Sequence, residues 1–200
     1  MSNLLSKNLK YWLLHRRPKD FARWFGPLDS LLWRTGLSVR YEPETGLLVA
    51  SDGTSSIRFC RVSRYERYTG GIEARLDRLA REYMIDRIAF RDGDCVLDCG
   101  ANVGEVSLWV RRRHPGVNVI AVEPEELEAN CVDINVFGGE PRTVRKVLWK
   151  EGGDLPFFTK PESADSSLFE IADHGAVKTV SATTVASLLA EYDVPRLRLL

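Results

Sequence analysis

Residues 95–122 constrain the fold of this chain more than any other stretch. The run Cys95-Val96-Leu97-Asp98-Cys99 is apolar and short enough for a buried strand, and Gly100-Ala101-Asn102-Val103-Gly104 follows as a glycine-bearing turn that feeds a helix over 103–113. Residues 117–122 repeat the strand pattern, 125–135 the helical one, and 143–149 read as a third strand. Strands that alternate with helices pair in parallel and are covered on both faces, so this half of the chain is expected to form a doubly wound α/β sheet.

Upstream the period changes. Residues 37–41, 47–50 and 57–62 are strand-like and are separated by Glu44-Thr45-Gly46 and Ser51-Asp52-Gly53-Thr54, which reads as a short antiparallel meander. Over 71–88, Ile72, Leu76, Leu79, Ala80, Tyr83, Met84 and Ile88 recur at three and four, predicting a helix whose other face, with Arg75, Asp77, Arg78 and Arg81, is solvated. Before the meander lies a basic arm in which Lys7, Lys10, Arg16, Arg17, Lys19, Arg23 and Arg34 face only Asp20 and Asp29. Phe21, Trp24, Phe25, Leu28 and Leu32 place one apolar stripe on that arm, with a break expected near Gly26-Pro27. Two domains are predicted: the amphipathic arm over 1–36, and the meander with the α/β sheet over 37–200. Such a stripe docks on the parent domain or on a second subunit, and the alternative partner is an anionic membrane surface.

Charge and cysteine content exclude several classes. The 28 Lys+Arg balance the 28 Asp+Glu, so no overall field gathers nucleic acid, and none is expected as a partner. The triplet Arg111, Arg112, Arg113 ends a helix, where cations complement the macrodipole. Cys60, Cys95, Cys99 and Cys131 form no C-x-x-C pair, so neither a metal site nor a disulfide framework is predicted, and a reducing, cytoplasmic setting is expected. His15, His114 and His174 stand apart and are expected at the surface. No run approaches the roughly 18 apolar residues of a membrane span.

The turn at 100–104 is built for a ligand, because open parallel sheets bind outside the carboxyl ends of their strands. It lacks both the G-x-G-x-x-G spacing of a dinucleotide loop and the lysine of a phosphate loop. Asp98 before it would repel a pyrophosphate and suits a cationic ligand, and S-adenosylmethionine carries an ammonium and a sulfonium. Glu123, at the end of the second strand, stands where an acid can accept both hydroxyls of a ribose. Each acid also has a plain reading as a helix cap or turn former. Their order and spacing favour an adenosyl ligand.

The run Asp98-x-Gly100-Ala101-Asn102-x-Gly104, with Glu123-Pro124 and Asn135 beyond it, resembles the FkbM family of S-adenosylmethionine-dependent methyltransferases. Arg64 to Tyr68 with Gly71, Arg75 and Tyr83 upstream, and Val147-Leu148-Trp149, Ser166-Ser167-Leu168 and 180–189 downstream, extend the similarity from about residue 57 onward. The resemblance implies a Rossmann-like class I methyltransferase fold with S-adenosylmethionine as cofactor, and O-methylation of a hydroxyl on a small-molecule or glycan acceptor, a sugar or secondary metabolite. It implies that Gly100, Ala101 and Gly104 lie under the methionine part, that Asp98 and Asn102 bond nearby, and that Glu123 holds the ribose. It carries Asn135 and Ser167 less securely, since an asparagine often ends a helix as its left-handed cap and a loop serine bonds its own backbone. The family's pattern continues past 194–200, which reads as the opening of a further strand. The expectation is therefore an incomplete sheet whose motif-bearing strand is unpaired on one side, with the acceptor pocket and any general base outside the chain. No catalytic residue is named. The rival reading is a non-catalytic remnant that keeps a cofactor half-site or a partner-binding surface.

Overall fold

The computed structural model describes residues 2–160, 165–169 and 175–200. They gather into two compact units, Met1–Asp86 and Arg87–Leu200.

The first unit opens with α1 (Ser2–Leu14) and α2 (Pro18–Leu28). Pro18 begins α2, where its fixed φ is already helical and its missing N–H would have been unpaired anyway. The break expected near Gly26-Pro27 is absent: α2 runs through both residues and closes in a wide π turn, Asp29–Trp33, that ends on left-handed Arg34. Pro27 lies inside that run and has no N–H to give Arg23 O, and the helix widens into the π turn two residues later. The single stripe divides. Phe21 and Phe25 are wholly buried against Tyr65, ring centroids 5.2 and 5.1 Å away, whereas Trp24 and Leu32 are exposed. Burial of each phenylalanine contributes about 1.5 to 3 kcal/mol and holds α2 on its own unit.

The meander forms as expected, with β1 (Ser38–Glu42), β2 (Leu47–Ser51) and β3 (Ser56–Phe59) antiparallel in the order β1-β2-β3. The helix expected to reach residue 88 stops sooner. α3 spans Ile72–Glu82, Met84 turns left-handed, and Ile85–Arg87 makes a short 3-10 turn. Tyr83 and Met84 are therefore exposed rather than on the buried stripe, and Arg75, expected on the solvated face, is buried.

The second unit carries β4 (Cys95–Cys99), α4 (Glu105–Arg113), β5 (Asn118–Val122) and α5 (Glu126–Phe137) in the expected alternation. After them come β6 (Val147–Leu148), β7 (Gly153–Lys160), β8 (Asp165–Ser167), β9 (Ala176–Thr183), α6 (Val185–Glu191) and β10 (Leu197–Leu199). β10, β4 and β5 form a parallel sheet in that order, so the unit is α/β and compatible with a Rossmann-like fold. Strand period two sends Cys95, Leu97, Ile120 and Val122 to one face, where Leu188 of α6 joins them. Asp98 falls on the opposite face with Val96 and reaches α4.

Two expectations change here. The third strand over 143–149 divides: Val144 makes a single parallel bridge to Val122, while β6 joins a separate mixed sheet ordered β6-β9-β7-β8. And β4 is not bare on its second side. β10 pairs with its first half, Leu197 with Cys95 and Leu199 with Val96, across a register shift. Cys95 is buried as a small apolar group, whereas Cys99 is exposed, and His114, expected at the surface, is half-buried against the rings of Phe90 and Trp109. His174 lies outside the described residues.

Gly104 fixes how closely α5 can approach the turn before α4. Its φ is +83°, and a Cβ there would stand 2.7 Å from Val136 Cγ2 of α5. Gly104→Ala combines a left-handed alanine with an overpacked contact, and chemical denaturation should show a loss of about 2 kcal/mol. An unchanged midpoint would mean that α5 retreats freely.

Candidate cofactor site

The chain turns sharply as it leaves β4. Gly100 N–H and Ala101 N–H both donate to Val122 O, at 2.9 and 3.0 Å, which ties the turn to the end of β5, and Gly104 N–H closes it on Ala101 O at 2.7 Å. Gly100 has φ +74°, and nothing lies within 4 Å of where its Cβ would be, so the backbone faces open space. Asn102 is also left-handed, at φ 52°, a conformation that asparagine adopts more readily than other non-glycine residues. Ala101 is buried under the turn.

Glu123 joins the two halves of the site. Only 6% exposed, it accepts from Asn102 N–H at 2.8 Å with Oε2 and from Glu125 N–H at 2.9 Å with Oε1. Burial pushes its carboxyl up to about 7; the two backbone amides oppose that rise, and the Glu128 and Glu125 carboxylates add to it. Each oxygen keeps a lone pair beyond its amide bond, so the group can accept two further donors. Glu125 is held in turn by Lys178 of β9, Nζ to Oε2 at 2.7 Å.

Asp98 has a partner that the sequence reading missed. Its Oδ2 accepts from Ser107 Oγ at 2.6 Å and from Ser107 N–H at 3.1 Å. Ser107 is the third residue of α4, where the backbone N–H has no partner within the helix, so Asp98 caps α4 from the neighbouring strand. Burial raises its carboxyl, and the Ser107 hydroxyl and amide pull it partly back. The signal was present in sequence, a serine nine residues past an acid across a strand-helix turn, but helix position had to be known to use it.

Asn135 does not cap α5. It lies within the helix and donates from Nδ2 to Val103 O at 2.9 Å, bracing the turn from behind, while Gly138 takes the left-handed cap. Ser167 behaves as a turn serine, its Oγ accepting from Phe169 N–H at 2.9 Å. The structure thus brings Asp98, Gly100, Ala101, Asn102, Gly104 and Glu123 together around one turn and leaves Ser167 to a local role.

Asn102 Oδ1 is buried with no hydrogen-bond partner. An unpaired buried oxygen costs about 1 to 3 kcal/mol, and a ligand N–H or O–H would remove that cost. This oxygen, the open space above Gly100 and the second lone pairs of the Glu123 carboxylate lie around one turn.

Comparison with known proteins gives a partial relative. The chain is 41% identical over 71 residues to the 31-O-demethyl-FK506 methyltransferase FkbM of Streptomyces tacrolimicus, a match covering 30% of this chain and 27% of that protein. No family profile matches the chain. No solved structure matches it. The shared segment makes this chain a partial relative of a methyltransferase across about a quarter of that enzyme's length.

Proposed function

We propose that the chain binds S-adenosylmethionine at the carboxyl ends of β4 and β5 and serves methyl transfer to a hydroxyl on a sugar or secondary metabolite. The observation that carries the reading is the turn at 100–104, open above Gly100, with Asn102 Oδ1 unpaired and its backbone held by the buried Glu123 carboxylate. The partial relative is named as acting on an O-demethyl compound, which supports a hydroxyl as the acceptor. S-adenosylmethionine, when bound, would supply a methyl group on a sulfonium, the S–CH3 electron pair returning to sulfur as a neutral thioether leaves. The chain's own residues do the holding. Glu123 accepts from the ribose hydroxyls, Asn102 Oδ1 accepts from the ammonium, the Gly100 backbone comes close to the ligand without a side chain in between, and Asp98 steadies α4 behind the turn.

Calorimetric titration with S-adenosylmethionine, beside a thermal melt, tests this. Saturable one-to-one binding is expected. A cooperatively melting chain that does not bind would overturn the reading in favour of the non-catalytic remnant.

The pH dependence gives a sharper form of the test. Ribose hydroxyls donate to an ionised carboxylate, and Glu123 in the free protein ionises at about 7. Affinity should therefore rise about ten-fold from about pH 6 to about pH 8, with proton release on binding near neutrality. A flat profile would remove Glu123 from the ligand.

A further inference from the structure

The fold uses only part of the arm's surface. Leu13, Phe21 and Phe25 are wholly buried. From the margin of that stripe outward the arm exposes Tyr11 (67%), Trp12 (38%), Trp24 (45%), Leu31 (74%) and Leu32 (39%), five large apolar side chains on one basic segment. Cations are interleaved with them. The Arg16 guanidinium lies 4.0 Å from the Trp12 ring centroid and that of Arg23 lies 5.6 Å from Trp24, while Lys7, Arg17, Lys19 and Arg34 are exposed along the same segment. Asp29 is buried on the Thr35 amide and Lys10 pairs with Glu66, which leaves Asp20 as the arm's exposed acid among the described residues.

We infer that this outer face seats the arm on an anionic lipid bilayer, with the indoles and leucines entering the headgroup region and the guanidinium and ammonium groups meeting lipid phosphates. Charge complementarity selects the occupant. A second copy packed arm against arm would bring two positive segments together, whereas an anionic surface neutralises them. Tryptophan and tyrosine with arginine alongside are the side chains that favour the membrane interface, because each offers an apolar body and a polar end. No helix among the described residues is long and apolar enough to cross a bilayer, so the contact is with one leaflet.

The test is flotation of the full chain with phosphatidylglycerol–phosphatidylcholine vesicles and with pure phosphatidylcholine vesicles, read together with tryptophan quenching by brominated acyl chains. Binding to the mixed vesicles, weakened by salt, with quenched emission is expected. The combined variant Arg16→Gln, Arg17→Gln, Lys19→Gln, Arg23→Gln should lower partitioning at least about 100-fold, since each cation near an anionic surface is worth about five-fold. Trp12→Ser with Trp24→Ser should lower it about ten-fold and remove most of the quenching. These side chains are exposed, and an unchanged melt of each variant confirms that the fold is intact. No flotation, or equal flotation with both vesicle types, overturns the inference. So does a concentration-dependent dimer that Trp24→Ser dissociates while vesicles remain unbound.

Discussion

Asp133→Ala should lower the stability of the second unit by about 3 kcal/mol, because it leaves two backbone amides and a buried hydroxyl without the charged acceptor they donate to. Asp133 is buried near the end of α5, and its Oδ1 accepts from the Arg142 amide at 3.0 Å, the Thr143 amide at 2.8 Å and the Thr143 hydroxyl at 2.5 Å. Its Oδ2 takes the Arg145 guanidinium at 2.7 Å. Burial alone would raise this carboxyl, but the Thr143 hydroxyl, Arg145 and the Thr143 amide outweigh it and hold the group below its ordinary value. Alanine would leave two amides without their acceptor. The damage extends to the site, because the segment that Asp133 pins also donates from Val144 N–H to Ala121 O and accepts at Val144 O from Glu123 N–H. Urea denaturation measures the loss. The native stabilisation is present above the unfolded carboxylate value of about 3.8 and drains as pH falls through the lower folded value, so the gap between native and variant should narrow in acid. A midpoint that barely moves would mean that the 142–145 segment is held by other contacts.

Glu123→Ala should lower S-adenosylmethionine affinity about a hundred-fold, equivalent to about 3 kcal/mol for charge-assisted bonds to two ribose hydroxyls. Glu123→Gln separates ligand from fold. The amide keeps the shape and one acceptor, so the variant should remain folded, bind weakly and lose the rise of affinity with pH. Stability runs the other way. The folded carboxyl ionises at about 7 against 4.5 in the unfolded chain, so the folded state holds its proton more tightly. That contribution is full below about 4.5, drains as pH rises through about 7, and amounts to about 3 kcal/mol over the window. Glu123→Gln should flatten it. Native affinity in both variants would show that Glu123 serves only to bind the Asn102 and Glu125 amides.

What was legible in the sequence was local. Cys95 to Cys99 and the turn after it carry their instructions within a few residues, an apolar run and Gly100 where φ is positive, whereas the neighbour that Gly104 admits is α5 and not the strand. The mixed sheet was not legible, because Gly153–Lys160 contains Pro156, which argues against a paired strand, and its partner Ala176–Thr183 lies across an intervening stretch. β10 meets β4 across about half the chain, a distance over which no periodicity speaks. The arm's stripe failed for a different reason. Trp24 and Leu32 lie on its margin, and a helical projection cannot say where the margin falls until the surface beneath is known. Asp98 shows the same limit within the site. Its charge was visible, but Ser107 was not, since the pairing depends on which turn of α4 comes level with the end of the strand.

β4 is registered with β5 over five residues, Cys95 to Cys99, and with β10 only at Cys95 and Val96. A load at Gly100, such as a ligand settling onto its backbone, passes through the Val122 and Glu123 bonds into β5 and α5. Stiffness at the turn is then set by the strand that leads into Glu123.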